Sequence, residues 1–446
     1  MIGILVQKIF SEINKKEVRC LAITISIFLY LILFQGIKLN MINLSILSSV
    51  DEIFVFLFGF IFIFNIIKNK EILKEQLYLV LIVSLFSIVG LLSFFINSTG
   101  SLLDLLMSNI LAIKFFLVII AFFTFNFKFD IKSVIVKVIF NVEKIAIILG
   151  SVNFIFPMFY LKFFTFAERY TRFGLESITS CFNHPSTFGW FMLVCAIIHF
   201  TRYKYEDSKR DKIYAIVDII FALCSFRTKI IIGVIVLFIV FEFIIQRNDI
   251  RKYLKAIALG TVIVVGIFIT FRGVLENTYK LYFTSTQGTT ARGALNDTGV
   301  KIMKDYFPLG VGFGKYGTWY ASKNYSEYYS KYGISNIYGL KKGESKYATD
   351  TFWPAIMGET GAVGLVIYVL ILGYIIKMLL SYNKIKQIKS NDKVFLASAI
   401  LMLTLLIIES FGEASFNFSP KNIIAGLFIG ISLNDYSKYK NGGIKQ

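Results

Sequence analysis

The chain has 446 residues, 56% of them hydrophobic, a formal net charge of +19 and a mean hydropathy of +0.69. A soluble domain rarely exceeds about 50% apolar residues, which excludes an ordinary globular enzyme. Most of the positive excess sits in short loops between apolar runs, the positive-inside pattern of membrane proteins, and this removes the reason to assign it to nucleic acid.

Apolar runs of about 17–25 residues recur along the chain, enough to cross a bilayer as helices, and predict an all-α polytopic integral membrane protein. The first, 21–37, has no small-residue cleavage site after it and reads as a retained helix. Further spans are expected near 44–67, 77–96, 102–125, 133–160, 185–201, 213–226, 230–246, 254–271, 352–380, 394–411 and 420–434, about twelve in all. The second contains Asp51 and Glu52 and is expected to be shorter than its apolar run. The fifth carries Glu143 beside Lys144; adjacent residues do not share a helix face, so each needs its own partner. Lysine and arginine crowd alternate loops, for example Arg202, Lys204, Lys209, Arg210 and Lys212, then Lys384, Lys386, Lys389 and Lys393. The intervening short loops are nearly bare. Lys38 and Lys421 are exceptions that read as snorkelling side chains. This alternation predicts cytoplasmic termini, with helices 1–9 in 1–271, a large extracytoplasmic loop in 272–351, and helices 10–12 with a tail in 352–446.

Cys20, Cys181, Cys195 and Cys224 form no CxxC pattern, so disulfide and zinc readings are weak. His184 and His199 are too few for a histidine-based metal site. No metal-ligand spacing and no cofactor motif is present.

Two outer segments carry cations against the usual bias. One, 161–184, holds Lys162, Arg169 and Arg172. The other is the short turn in "CSFRTKII", with Arg227 and Lys229. A guanidinium held close to the membrane wants a partner, and an anionic ligand on that face is one. The segment "NHPS" places His184 before Pro185, a proton carrier or simply a helix start with proline in the first turn.

The long outer segment 272–350 holds eleven of the chain's 24 tyrosines and Trp319. Trp319, Tyr316 and Tyr320 could contact a polyhydroxylated ligand or form an interfacial belt. A helix is expected over 290–304 with Arg292 in its first turn, where a cation gains nothing from the helix dipole and needs another reason, such as a shared anion. In "DYFPLGVGFGKYG", Gly310, Gly312 and Gly314 mark a tight turn able to approach a ligand or helix closely. It follows no strand of a βαβ unit, so it is not a nucleotide loop. In "YATDTFWPAIMGETGAVGL", Asp350 sits at the mouth of a span and Glu359 about two turns further in. Acidic groups at that depth are paired or functional.

The order of "SFRTK", a long outer loop with an Arg, a helix and "PLGVGFG", and then "DTFWPAIMGETGAVGL" resembles the O-antigen ligase and polymerase superfamily, particularly Wzy-type polymerases of capsular and exopolysaccharides. The stretch "RFGLESITSCFNHPSTFGWFM" resembles the segment such proteins carry before a middle span. The resemblance covers roughly 172–364. It implies a GT-C-like membrane glycosyltransferase in a bacterial cytoplasmic membrane, with its active site on the extracytoplasmic side. The implied reaction polymerises undecaprenyl-diphosphate-linked oligosaccharide repeat units without a cofactor, with flippase and chain-length regulator proteins as partners. Ligase-like transfer of finished glycan to another acceptor, or a lipid-linked-oligosaccharide flippase, are the alternatives. Ligases of the superfamily usually carry a loop histidine where this chain has Asp350, which favours the polymerase branch. The leaving diphosphate needs positive charge, assigned to Arg227 first, then Arg172 and Arg292, with Lys229 and Arg169 in support. The base candidates are Asp350, then Glu359, with His184, Glu168 and Glu176 open.

Overall fold

The computed structural model describes residues 19–35, 49–69, 72–125, 127–163, 170–172, 174–246 and 290–442. The expected span 254–271, Arg169, Glu168 and Lys38 lie outside them. The helices in chain order are α1 (Arg19–Leu33), α2 (Val50–Asn69), α3 (Lys74–Asn97), α4 (Leu102–Thr124), α5 (Ile131–Ile155), α6 (Pro157–Phe163), α7 (Pro185–Glu206) and α8 (Lys209–Leu223). They continue with α9 (Thr228–Ile245), whose last residues, Val240–Ile245, widen into a π-helix. Then come α10 (Ala291–Asp305), α11 (Trp319–Lys323), α12 (Glu327–Lys331), α13 (Trp353–Tyr382), α14 (Ser390–Ser410) and α15 (Lys421–Gly442). A two-residue hairpin, β1 (Thr171–Arg172) against β2 (Leu175–Glu176), precedes α7.

Five of the described helices, α3, α4, α9, α13 and α14, are long and apolar enough to cross a membrane. α3 shows how sequence produces the lipid face. Leu77, Leu81, Leu85, Ile88, Leu92 and Phe95 recur at helical spacing and are exposed, while Leu79, Val83, Phe86 and Val89 are buried. An uninterrupted exposed apolar face of this kind is what a hydrocarbon solvent accepts and water does not. α2 begins at Val50, and residues 44–48 of the second apolar run lie outside the described residues; Asp51 is buried and ion-paired to Lys114 of α4. The helix expected over 133–160 is divided at Phe156, between α5 and α6.

Local chemistry fixes the helix starts. Thr290 caps α10, its Oγ1 accepting from the Gly293 amide at 3.2 Å, at the start of the helix expected over 290–304. Asp130 caps α5 through the Ser133 amide. Proline occupies the first turn of both α7 and α13, where its missing N–H costs nothing.

α10–α12 and their connections build a second small core from Leu295, Ile302, Val311, Tyr316, Tyr329 and Leu340. This unit docks through the glycine turn. Val311 and Gly312 donate their amides to the carbonyls of Gly358 and Glu359 at 2.9 and 2.7 Å. α13 is broken there, because Gly361 has φ +63°. A Cβ on Gly361 would meet the Pro308 carbonyl oxygen at 2.4 Å. Gly312 (φ +92°) presses equally closely on α3, where a Cβ would lie 2.3 Å from the Phe94 Cα.

Gly312→Ala should therefore cost about 3 kcal/mol, from a left-handed backbone and an overpacked contact together. Gly373→Ala, in open space on α13, should be neutral or mildly stabilising. The melting temperatures of both variants in detergent check this; equal values would contradict the docking role of the turn.

Candidate active site

One end of the bundle gathers the starts of α7, α9, α13 and α15 with the ends of α8 and α14. The α8–α9 turn, Cys224–Arg227, is tight: Ser225 and Phe226 donate their amides to the carbonyls of Ala222 and Leu223, and Phe226 is left-handed at φ 51°. Gly189 of α7 permits the turn to approach, since a Cβ there would meet the Ser225 Oγ at 2.5 Å. Arg227 is the N-cap residue of α9 and Lys229 lies in its first turn.

The β-hairpin brings the upstream segment to the same place. The Arg172 guanidinium donates to the Phe226 carbonyl at 3.4 Å. The Tyr170 ring lies between Arg227, whose guanidinium is 5.4 Å from the ring centroid, and His184, with ring centroids 5.1 Å apart. His184 is the N-cap of α7, its Nδ1 accepting from the Ser186 amide at 3.1 Å. The helix-start reading of "NHPS" is what the structure contains. Burial and the nearby Arg227 push the His184 imidazole down to about 3, so it is neutral at physiological pH and a weak proton acceptor.

Lys229 reaches across to α14. It is ion-paired to Glu413, with Glu409 at 3.7 Å. Lys421, at the start of α15, bonds Glu409 at 2.7 Å and also pairs with Glu413. Lys421 is 3% exposed; it does not snorkel, because two carboxylates hold it inside. Burial pushes the Glu413 carboxyl up, but Lys421 and Lys229 outweigh this and hold it below the usual range. Glu409, Glu413, Lys421 and Tyr170 were missed from the sequence. The available signal was a pair of glutamates closing an apolar run in "IIESFGEASF", the same intramembrane-acid argument that picked out Glu359.

Asp350 accepts from the Arg292 guanidinium at 2.9 Å. Burial raises the Asp350 carboxyl above its ordinary value, opposed by Arg292, and the fields of Glu413 and Lys229 also reach it. Arg292 thus has an anion beside it, supplied by the protein. Arg227, Lys229, Arg172, Arg292, Asp350 and His184 all belong to this end of the bundle.

Other expected site residues are elsewhere. Glu359 is 3% exposed and, among the described residues, pairs with no arginine. Its Oε1 accepts from the Lys315 and Tyr316 amides at 2.9 and 3.0 Å and from the Thr318 hydroxyl at 2.7 Å. It holds the glycine turn through that oxygen. Tyr316 is fully buried and donates to the Leu295 carbonyl at 2.7 Å. Tyr320 is 8% exposed. Tyr316 belongs to the core of the α10–α12 unit, whereas Tyr320 lies beside Trp319, with Lys323 over its ring. Trp319 remains at the surface, 53% exposed.

Residues 213–369 match the model of the O-antigen ligase family (Wzy_C). Members of that family are glycan-transferring membrane enzymes. The match covers Arg227, Lys229, Arg292, the glycine turn, Asp350 and Glu359, and stops before Glu409, Glu413 and Lys421. It agrees with the resemblance read from the sequence and supports a role in polysaccharide biosynthesis. No curated protein matches the chain.

Two outcomes follow from the geometry. The unfolded imidazole titrates near 6.5 and the folded one near 3, so between these values the unfolded state binds the extra proton and stability falls as pH is lowered from about 6.5. His184→Asn, which keeps a capping oxygen, should flatten that part of the stability–pH curve; an unchanged slope contradicts the burial argument. Lys421→Met should cost about 3–5 kcal/mol by stranding buried carboxylates, and adding Glu409→Leu should recover part of the loss. A double-mutant cycle on thermal unfolding measures the coupling; strict additivity would mean the charges act independently.

Proposed function

We propose that the chain joins lipid-linked sugars, polymerising undecaprenyl-diphosphate-linked repeat units at the extracytoplasmic end of its bundle. The observation that carries this reading is the meeting of Arg172, Arg227, Lys229, Lys421 and Arg292 at one end of the bundle. Such a gathering of cations suits a diphosphate. Three helices, α7, α9 and α15, also point their positive N-terminal ends there.

In this reading, the acceptor hydroxyl attacks the anomeric carbon of the donor glycan. The new carbon–oxygen bond forms as the bond from that carbon to the diphosphate oxygen breaks, and the lipid diphosphate departs with the electron pair. Arg227 and Arg172 receive the growing negative charge, a role that suits a permanently charged, bidentate guanidinium. Asp350 takes the hydroxyl proton. Its affinity for protons is raised by burial, and its contact with Arg292 fixes its direction. Lys229 and Lys421, already engaged by Glu409 and Glu413, hold the helix ends around the diphosphate rather than binding it.

Incubating the purified protein with the repeat unit on its lipid diphosphate tests this, with the products resolved as a ladder. Wild type should give a ladder with no nucleotide sugar added. Arg227→Ala should lower kcat/KM by about 10²–10³-fold; an undiminished ladder would remove Arg227 from the diphosphate role. A single transfer to a different acceptor, without a ladder, would favour the ligase reading.

The assignment of Asp350 has its own sign. Arg292 lowers the proton affinity of that carboxyl, and the base works only when deprotonated. Arg292→Gln should therefore move the acid limb of the pH–rate profile to higher pH. An unmoved limb would take Asp350 out of the base role.

A further inference from the structure

A second polar cluster lies far from the first, inside the packing of α5, α7 and α8. His199 is about 22 Å along α7 from His184 at 1.5 Å per residue. Its ring stacks against Phe140, with centroids 4.1 Å apart, and faces Tyr214 on its other side. Asp211 lies in hydrogen-bond contact with Nδ1, and Glu143 lies 3.1 Å from Nε2. Asp218 of α8 completes the group: donor atoms of Glu143, His199 and Asp218 all lie within 4.8 Å of one another. All three residues are buried, Asp218 at 0% exposure, and among the described residues neither of its carboxylate oxygens has a hydrogen-bond partner.

These facts conflict unless something positive sits between the side chains. With Asp211 accepting the Nδ1 proton, the Nε2 lone pair faces a carboxylate, and a second carboxylate stands beside it. A proton on Nε2 would satisfy Glu143, but a second proton, on Asp218 facing Glu143, is then needed to keep a bare charge out of the apolar interior. One divalent ion satisfies all three groups at once. The surroundings fit that role in detail: a metal-binding histidine characteristically gives its other N–H to a carboxylate, which fixes the ring and the tautomer, and Asp211 stands in that position. The aromatic faces of Phe140 and Tyr214 clamp the ring orientation. An ion bound at about 2.0–2.2 Å holds its ligands about 3.3 Å apart. Glu143 and His199 are already at that spacing, and a small side-chain rotation brings in Asp218.

We infer that Glu143, His199 and Asp218 form a site for one divalent transition-metal ion, with Asp211 as the positioning residue for His199, tying α5, α7 and α8 together. The mixed imidazole and carboxylate donors suit zinc, manganese or iron, and disfavour calcium and magnesium, which prefer all-oxygen shells. The sequence expectation of no metal site rested on spacing along the chain. These ligands come singly from three helices, so no local motif announces them. The partner that Glu143 required is His199.

Tag-free full-length protein, purified in detergent, would be assayed for zinc, manganese and iron by elemental mass spectrometry. About one equivalent per chain is expected. Dialysis against chelator should lower the melting temperature, and added Zn²⁺ or Mn²⁺ should restore it. Asp218→Asn, which removes a ligand and also relieves carboxylate repulsion, should fold, hold no metal and melt at a temperature indifferent to chelator. Asp211→Asn should weaken metal affinity about 10–100-fold. Wild-type protein that carries no stoichiometric metal, and whose melting responds neither to chelator nor to Zn²⁺ or Mn²⁺, would overturn the proposal and leave the cluster holding protons instead.

Discussion

Two lysines and two glutamates closed inside the protein set the arrangement of the whole end of the bundle. Lys229 opens α9, Lys421 opens α15, Glu409 lies near the end of α14 and Glu413 in the loop after it. Buried charges of one sign are untenable alone, so none of these helix ends can shift without the others. Cations and carboxylates balance within the network, and its stability requires no ligand. Arg227 and Arg172 are held beside it by the α8–α9 turn and the β-hairpin.

A second constraint is backbone rather than charge. The glycine turn at 310–314 lies where α3, α4 and the break in α13 converge, closer than any side chain would allow. Glu359 is placed to gather the amides of the turn. In this way a carboxylate inside a span and a set of glycines outside it are parts of one joint. The joint fixes the unit containing Arg292 relative to α13, and with it the Arg292–Asp350 pair. Two separate segments, one before and one after the residues 247–289, thereby contribute to one site.

Much of this was legible from residue type and order. Cations on the wrong side of the charge alternation marked Arg172, Arg227 and Lys229, and the structure gathers them. The helix α10 and the proline-led start of α7 followed from the residue pattern over 290–304 and from Pro185. What the sequence hid was pairing across the fold. Lys421 looked like any loop lysine until Glu409 and Glu413 were seen around it. Tyr316 looked like a sugar platform because tyrosine serves both roles; only its hydroxyl's partner, the Leu295 carbonyl, distinguishes core from surface. Glu359 was correctly marked as an acid needing a partner, but backbone amides leave no trace in composition. Glu143, His199 and Asp218 were hidden for the same reason, being 56 and 19 residues apart in a chain that folds them together.

The central claim is that this cationic helix-end cluster receives a lipid diphosphate. The most direct measurement is equilibrium binding of undecaprenyl diphosphate, beside undecaprenyl monophosphate, to the purified protein in lipid nanodiscs. The account predicts that the diphosphate binds at least about tenfold more tightly, one charge-assisted hydrogen bond or more, and that Arg227→Gln together with Arg172→Gln abolishes the difference. Equal affinity for the two lipids in the wild-type protein would contradict it.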